Sequence, residues 1–243
     1  MAEIKYKRIL VKLSGEALMG NQEFGVDPQM IDKLAAELID LRHSGVEIGI
    51  VVGGGNLFRG AALAGAGLDR VTGDHMGMLA TVMNALALQD GLLRRGATVA
   101  VMSGLAMPQV CESYTQREAR RRIAQGEILI FAAGTGSPYF TTDTGASLRA
   151  IEIQADLLIK ATKVDGIYDK DPVKHADAVR YDDLDYDRAI DRRLAVMDVA
   201  AMILCNDNAL DLVVCDINRP GALLDLARGK SIGTRVTRKE VQK

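Results

Sequence analysis

No segment of this 243-residue chain approaches the run of about 18 apolar residues that a membrane-spanning helix needs. The apolar stretch between Met1 and Lys12 is too short for a signal peptide. No block of lysine and arginine exceeds the three residues Arg120-Arg121-Arg122. Against 30 basic residues stand 32 acidic ones, a net charge of −2 with an isoelectric point near 6.0. Nucleic acid and anionic membrane are therefore not expected partners. The three cysteines, Cys111, Cys205 and Cys215, show no C-x-x-C spacing. Such an odd, unpatterned set suggests buried, reduced thiols in a cytoplasmic protein. The three histidines, His43, His75 and His175, are scattered and make no metal set, so no side chains are singled out as metal ligands.

The familiar nucleotide and hydrolase signatures are missing too. Gly229-Lys230-Ser231 ends like a Walker A loop, but position 224 is Leu where that motif requires Gly, and no strand–loop–helix context surrounds it. No G-x-G-x-x-G follows a strand: Gly65-Ala66-Gly67 leads to Arg70, and Gly134-Thr135-Gly136 to Tyr139. No G-x-S-x-G elbow points to a hydrolase.

What is present is an alternation of short apolar, β-branched runs with longer amphipathic stretches. Strands are expected over residues 8–13, 46–52, 98–102, 128–132, 155–161 and 212–217, several apolar on both faces as in a parallel sheet covered by helices. A first helix follows the cap Asp27 and Pro28, carries Met30, Ile31, Leu34, Leu38 and Leu41 on one face, and ends at Ser44-Gly45. A second is expected from about Asp74 to Arg95, and a third from Thr142–Asp143 to about Gln154. The pattern means a doubly wound α/β/α sandwich with a mainly parallel central sheet, one domain over residues 1–243. Residues 168–191, rich in Asp and Tyr, are expected to form a loop and short hairpin over one end of the sheet. The apolar arc of Met76, Leu79, Met83, Leu86 and Ala87 fits packing on the sheet or a subunit interface.

Four strand ends carry unusual residues. In Val11-Lys12-Leu13-Ser14-Gly15-Glu16 a lysine lies within an apolar strand before a Ser-Gly turn, where it can hold its ammonium over the strand's carboxyl end. An edge-strand lysine reaching solvent is the structural alternative. After the apolar run 48–52 come Gly53-Gly54-Gly55-Asn56-Leu57-Phe58-Arg59-Gly60. Three glycines tolerate positive φ and let backbone N–H groups lie against an anion, with Arg59 close by. A tight strand-to-helix turn would also call for glycine. Gly134-Thr135-Gly136-Ser137-Pro138-Tyr139-Phe140-Thr141-Thr142-Asp143 offers hydroxyls and N–H groups at a helix start. Asp143 can cap that helix, or orient Lys12 or Mg²⁺, since Thr141 and Thr142 are also cap candidates. The stretch from Lys160 to Pro172 is a strand ending in ordinary Asp-Gly and Asp-Pro turns, with Tyr168 available for a base or ribose.

Together these describe phosphoryl transfer without a P-loop. That chemistry needs positive charge on the transferring group and in-line positioning, which Lys12, Arg59 and glycine-rich backbone can supply. If the acceptor is itself a phosphate, with a second pKa of about 6, no general base is required.

These strings, with Asp74-His75-Met76-Gly77-Met78 and Lys163-Val164-Asp165-Gly166, occur in an order that resembles the bacterial uridylate kinases of the amino acid kinase fold family, from about residue 6 to about residue 236. The Lys-Leu-Ser-Gly and Val-Asp-Gly elements are shared across that fold family. The Gly-Asn-Leu-Phe-Arg-Gly and Asp-His-Met-Gly-Met strings are more specific. The resemblance implies transfer of the ATP γ-phosphoryl group to UMP with Mg²⁺, with Lys12, Arg59 and Asp143 as the catalytic groups. It implies that Lys12, Leu13, Ser14 and Gly15 meet the ATP phosphates together with Gly55 and Arg59, and that Thr162, Tyr168 and Asp171 hold the rest of ATP. It places UMP at Gly54 and Asp74, the latter at the ribose hydroxyls, wrapped by Thr135, Gly136, Ser137, Pro138, Tyr139, Phe140, Thr141 and Thr142. A further lysine late in the chain, used by some acyl-phosphate-forming relatives, has no counterpart in this reading, and Arg59 is taken to replace its charge. The branch is also known as homohexameric, activated by GTP and inhibited by UTP, with the loop Gly20-Asn21-Gln22-Glu23-Phe24-Gly25 tied to effector binding. Arg94, Arg95 and Arg117 are candidate triphosphate ligands.

Two other functions compete. A carboxylate or carbamate kinase of the same fold would keep Lys12 and the Val-Asp-Gly turn but not need Asp74 with the 135–142 cradle. A non-enzymatic nucleotide sensor would be expected to lose Lys12, Arg59 or Asp143, and all three are present.

Overall fold

The computed structural model describes residues 3–58 and 67–239. Arg59 and Gly60 lie outside the described residues. The expected strands form as β1 (Arg8–Leu13), β2 (Glu47–Val52), β3 (Val99–Ser103), β5 (Ile128–Ala132), β6 (Leu157–Thr162) and β10 (Asp211–Asp216). Short strands extend the sheet: β4 (Glu112–Ser113), β9 (Asp183–Asp185) and β11 (Thr234–Thr237). Among the described residues the main sheet has nine strands in the order β4-β3-β5-β2-β1-β6-β10-β11-β9. Every pairing is parallel except β10 with β11. From β1 the chain passes to its neighbour β2, then out to β3 and β4, turns back to β5 between β2 and β3, and crosses to β6 on the other side of β1, so the carboxyl ends of β1, β2, β5 and β6 surround one crevice.

Helices cover both faces because successive strand residues point to opposite sides. Ile9, Val11 and Leu13 pack under α1 (Pro28–His43) and α2 (Arg70–Arg94) through Leu34, Leu38, Val82 and Leu88. Leu10, Phe131 and Leu158 pack on the opposite face, with Ala119 of α3 (Gln116–Ala124), Ala146 and Ala150 of α4 (Thr142–Glu152) and Met202. Helix α1 begins as expected: the Asp27 carboxylate accepts the Gln29 N–H at 2.9 Å and Pro28 opens the first turn.

Helix α2 starts a turn earlier than expected. Asp69, not Asp74, caps it by accepting the Thr72 N–H at 2.9 Å, so Asp74 lies inside the helix. By length and composition α2 could cross a membrane, contrary to the expectation that no segment would qualify, but half of its apolar window is buried within the protein. It is a core helix: Met78, Val82, Ala85, Leu88 and Leu92 face the sheet, while Met76, Leu79 and Met83 are exposed. The expected hairpin pairs β7 (Ile167–Tyr168) with β8 (Arg180–Tyr181). The stretch does more than that, since β9 joins the main sheet and leads into α5 (Tyr186–Asp191), whose fully buried Tyr186 donates to the Leu210 carbonyl at 2.7 Å. Helices α6 (Val199–Asp207) and α7 (Ala222–Ala227) complete the layers, and Gly229-Lys230-Ser231 follows α7 as a turn. Cys111, Cys205 and Cys215 are buried and unpaired.

Candidate active site

Lys12 and Lys160 are register partners on the neighbouring strands β1 and β6, so their side chains leave the same face of the sheet. That face carries α4, and Asp143 in its first turn lies between them. Lys12 Nζ is 2.9 Å from Asp143 Oδ1, and Lys160 Nζ is 2.8 Å from Oδ2. Lys160 also donates to the Val196 carbonyl at 2.5 Å. The helix cap is Thr141, whose Oγ1 accepts the N–H groups of Asp143 and Thr144 at 3.0 and 3.3 Å, leaving the Asp143 carboxylate to the lysines. Asp198 accepts from the hydroxyls of Thr141 and Thr144 and caps α6 through the Ala201 N–H, tying two helix starts together.

All three charged side chains are largely buried, at 12, 15 and 16% exposure for Lys12, Asp143 and Lys160. Burial pushes the Asp143 carboxyl up, but Lys12 and Lys160 outweigh it and hold the group below the ordinary carboxylate value. Burial, joined by repulsion from Lys12, pushes the Lys160 ammonium down despite Asp143. Two ammonium groups meet the Asp143 carboxylate at the carboxyl end of the sheet, with the Asp198 carboxylate also acting on Lys160, and such paired cations suit a phosphoryl group. The structure thus supplies a second cation that the sequence reading assigned no role. Its signal was available: Leu157-Leu158-Ile159-Lys160-Ala161 sets a lysine in an apolar strand just as 10–13 does.

Two of the three glycines after β2, Gly53 and Gly54, serve close packing. None of Gly53, Gly54 and Gly55 has positive φ, contrary to the reason first given for them. A Cβ on Gly54 would lie 2.8 Å from Ala80 Cβ and 2.9 Å from the Gly77 carbonyl, so glycine lets the turn rest on α2. Across the crevice, a Cβ on Gly15 would lie 2.8 Å from Gly53 O and from Gly55 N. At Gly55 a Cβ would meet nothing within 4 Å, and this residue lines a cleft. A buried amide pair fixes the turn. Asn84 of α2 donates to the Gly53 carbonyl at 2.7 Å and to Asn56 at 2.6 Å, and Asn56 donates to Asn84 at 3.0 Å and to the Gly25 carbonyl at 2.8 Å.

The cleft, about 360 Å³, lies between α2 and the start of α4. Of the residues expected around UMP, Gly54, Asp74, Thr135, Phe140, Thr141 and Thr142 line it. Gly136, Ser137, Pro138 and Tyr139 belong to the loop over it and are not in its wall. Phe58, Leu68, Arg70, Met78 and Thr81 line it without having been expected. Asp74 accepts the Tyr139 N–H at 2.7 Å and the Arg70 guanidinium at 2.9 Å on both oxygens. Partial burial pushes its carboxyl up, and these donors bring it below the ordinary value.

On the expected ATP side, Leu13 ends β1 and Ser14 leads, in extended backbone, into a 3₁₀ turn at Gly15–Leu18. Thr162 Oγ1 accepts the Val164 N–H at 3.0 Å, the Tyr168 hydroxyl donates to Asp165 at 2.6 Å, and Asp171 accepts the Val173 N–H at 3.0 Å. These three residues stand outside the cleft. The loop 20–25 joins the glycine turn through the Gly25 N–H, which donates to the Asn56 carbonyl at 3.1 Å. Phe24 of that loop is exposed. Arg94, on the opposite end of α2, pairs with Asp32 at 3.1 Å.

Residues 7–216 match the Amino acid kinase family, and the chain belongs to that family of kinases. It is 59% identical to the uridylate kinase of Xanthomonas axonopodis pv. citri (strain 306), over 97% of this chain and 98% of the relative. The uridylate kinase of Pseudomonas syringae pv. syringae (strain B728a) is 56% identical, over 96% of this chain and 94% of the relative. Among solved structures, the UMP kinase of Bacillus anthracis superposes with a TM-score of 0.93 at 34% identity, covering 97% of both chains. The UMP kinase of Ureaplasma parvum does so at 0.90 and 32%, covering 97% of this chain and all of that one. Within the amino acid kinases these relatives place the chain among the uridylate kinases.

Proposed function

We propose that this chain, as a single domain, transfers the γ-phosphoryl group of ATP to UMP, giving UDP and ADP in the cytoplasm. The observation that carries the reading is the adjacency of two features. The first turn of α4 presents Thr141 and Thr142 to the cleft that holds Asp74, and its next residue, Asp143, to Lys12 and Lys160. The acceptor nucleoside in the cleft has its ribose at Asp74 and its phosphate near the lysine pair, whose ammonium groups stabilise the charge spread over the transferring group. The acceptor phosphate is already ionised, its second pKa being about 6, and needs no base. Among the described residues no group of three or more His, Cys, Asp and Glu could hold a metal, and both Asp143 oxygens face ammonium groups. Mg²⁺ brought in with ATP would supply neutralisation of phosphate charge. Thr162, Tyr168 and Asp171 hold the remainder of ATP, and Arg59 adds charge at the phosphates.

Regulation by GTP and UTP in a homohexamer completes the reading. Support comes from the exposed Met76, Leu79 and Met83 on α2, an apolar face suited to a neighbouring subunit, and from the Gly25–Asn56 link between the loop 20–25 and the glycine turn. A coupled assay of ADP formation with UMP, CMP, dTMP, aspartate and glutamate tests the activity, and turnover of an amino acid instead of UMP overturns it. Initial rates with GTP or UTP, alongside sedimentation, test regulation: a monomer indifferent to both refutes it and leaves the kinase reading intact.

A further inference from the structure

We propose that Arg70 is a positioning residue for acceptor recognition: it aims the Asp74 carboxylate at the ribose hydroxyls. The inference rests on the reading that Asp74 takes the ribose of UMP.

The placement of Arg70 is poor for the helix itself. It is the first residue of α2, at the helix's positive end, where a cation is disfavoured. Its partner Asp74 lies four residues on, the weaker order for a helical ion pair. The pair nevertheless has a specific geometry. The single Nε–H of Arg70 is shared between both Asp74 oxygens, 2.9 Å from each, which keeps the carboxylate turned toward the arginine. The same carboxylate takes the backbone N–H of Tyr139 through Oδ2 at 2.7 Å, joining α2 to the loop after β5. The Arg70 guanidinium then reaches that loop a second time, 5.5 Å from the centroid of the Tyr139 ring.

Tyr139 needs such support. Its φ of 72° is left-handed, a conformation that a tyrosine keeps only when its surroundings impose it. The ring gives little of its own, being 66% exposed. Arg70 and Asp74 are both in the cleft wall, and the Asp74 lone pairs that Arg70 and Tyr139 do not use are open to a ligand's hydroxyl groups. Arg70 therefore acts through Asp74, and its contribution exists only for an acceptor that has ribose hydroxyls.

Steady-state kinetics of Arg70→Ala with UMP and with 2′,3′-dideoxy-UMP, at saturating ATP, test this. The KM for UMP is expected to rise roughly tenfold, the scale of weakening one charged hydrogen bond, with kcat nearly unchanged. The KM for dideoxy-UMP and for ATP should match those of the unmodified protein, and Arg70→Lys, which keeps the charge and loses the Nε–H shared by the two oxygens, should fall between. An equal rise for UMP and dideoxy-UMP would assign Arg70 to the base or phosphate and overturn the proposal, as would no rise at all. Asp74→Asn in the same assay separates the two layers. If it too discriminates nothing between the acceptors, the ribose reading of Asp74 has failed; if it discriminates and Arg70→Ala does not, only the role of Arg70 has.

Discussion

Lys12 and Lys160 face one carboxylate from adjacent parallel strands, their ammonium nitrogens 2.9 and 2.8 Å from the two oxygens of Asp143. Neither lysine can be understood alone: each balances part of the same buried negative charge.

If Lys12 supplies positive charge in the transition state, Lys12→Met should retain the fold, since the aliphatic volume is similar, and lower kcat by roughly 10²–10³-fold. Rapid-quench or coupled kinetics on the purified variant will show it. A near-normal kcat would reduce Lys12 to a structural lysine.

The triad also orders two stability effects. Asp143→Asn leaves two buried ammonium groups unbalanced and should cost about 3–5 kcal/mol, the scale of breaking a buried ion pair. Lys160→Met leaves a balanced Lys12–Asp143 pair and should cost less. Denaturant unfolding at pH 7 measures both, and the reverse order would contradict the charge balance. The difference between the unmodified protein and Asp143→Asn should also depend on pH. The Asp143 carboxyl titrates below its ordinary value in the folded protein. In acid the unfolded chain therefore binds its proton first, and the stabilisation, complete above the ordinary carboxylate pKa, is lost as pH falls through the lower folded value. The two unfolding curves should converge only in that acid range.

Asp74→Asn should weaken UMP far more than ATP, by about 1.5–3 kcal/mol for the loss of a charged hydrogen bond. Calorimetric titration of each nucleotide decides it. Equal losses would give Asp74 a folding role through its bonds to Tyr139 and Arg70.

The Asn56–Asn84 pair is predicted to be worth more than its surface would suggest. Asn84→Leu strands the Gly53 carbonyl and half of the Asn56 amide in a dry interior, which should cost about 1–3 kcal/mol. Converting both residues to Leu should cost less than the sum of the single changes, because the two amides then no longer leave each other unpaired. Additive losses in denaturant unfolding would show that the pair is not coupled.

Much of the scaffold was legible locally. Strands 8–13 and 128–132 form where read, because an apolar run bounded by polar residues has few other ways to hide both faces. Helix α1 starts at Pro28 because Asp27 and Pro28 state its first turn outright. Helix α3 escaped notice because Gln116-Arg117-Glu118-Ala119-Arg120-Arg121-Arg122 offers only Ala119 and Ile123 to the core, too few to show a period. Strands β4, β9 and β11 are 2, 3 and 4 residues long, and their pairing partners are set by the fold rather than by their own sequence.

The sequence by itself determined the alternation of strands and helices, the doubly wound architecture, and which residue types gather at the strand ends, since each depends on spacing within a few turns of chain. Tertiary structure alone decided that Asp143 falls between Lys12 and Lys160, that Asn84 meets Asn56, and that Asp74 reaches the backbone of Tyr139. Those meetings join residues 17 to 131 positions apart, brought together by a strand order in which β6 lies beside β1 and β5 beside β2, with α2 packed over the ends of β2 and β5. Local propensity carries no term for such an order: it emerges when the sheet closes its two apolar faces at once, and the polar residues at its carboxyl edge are then left facing one another.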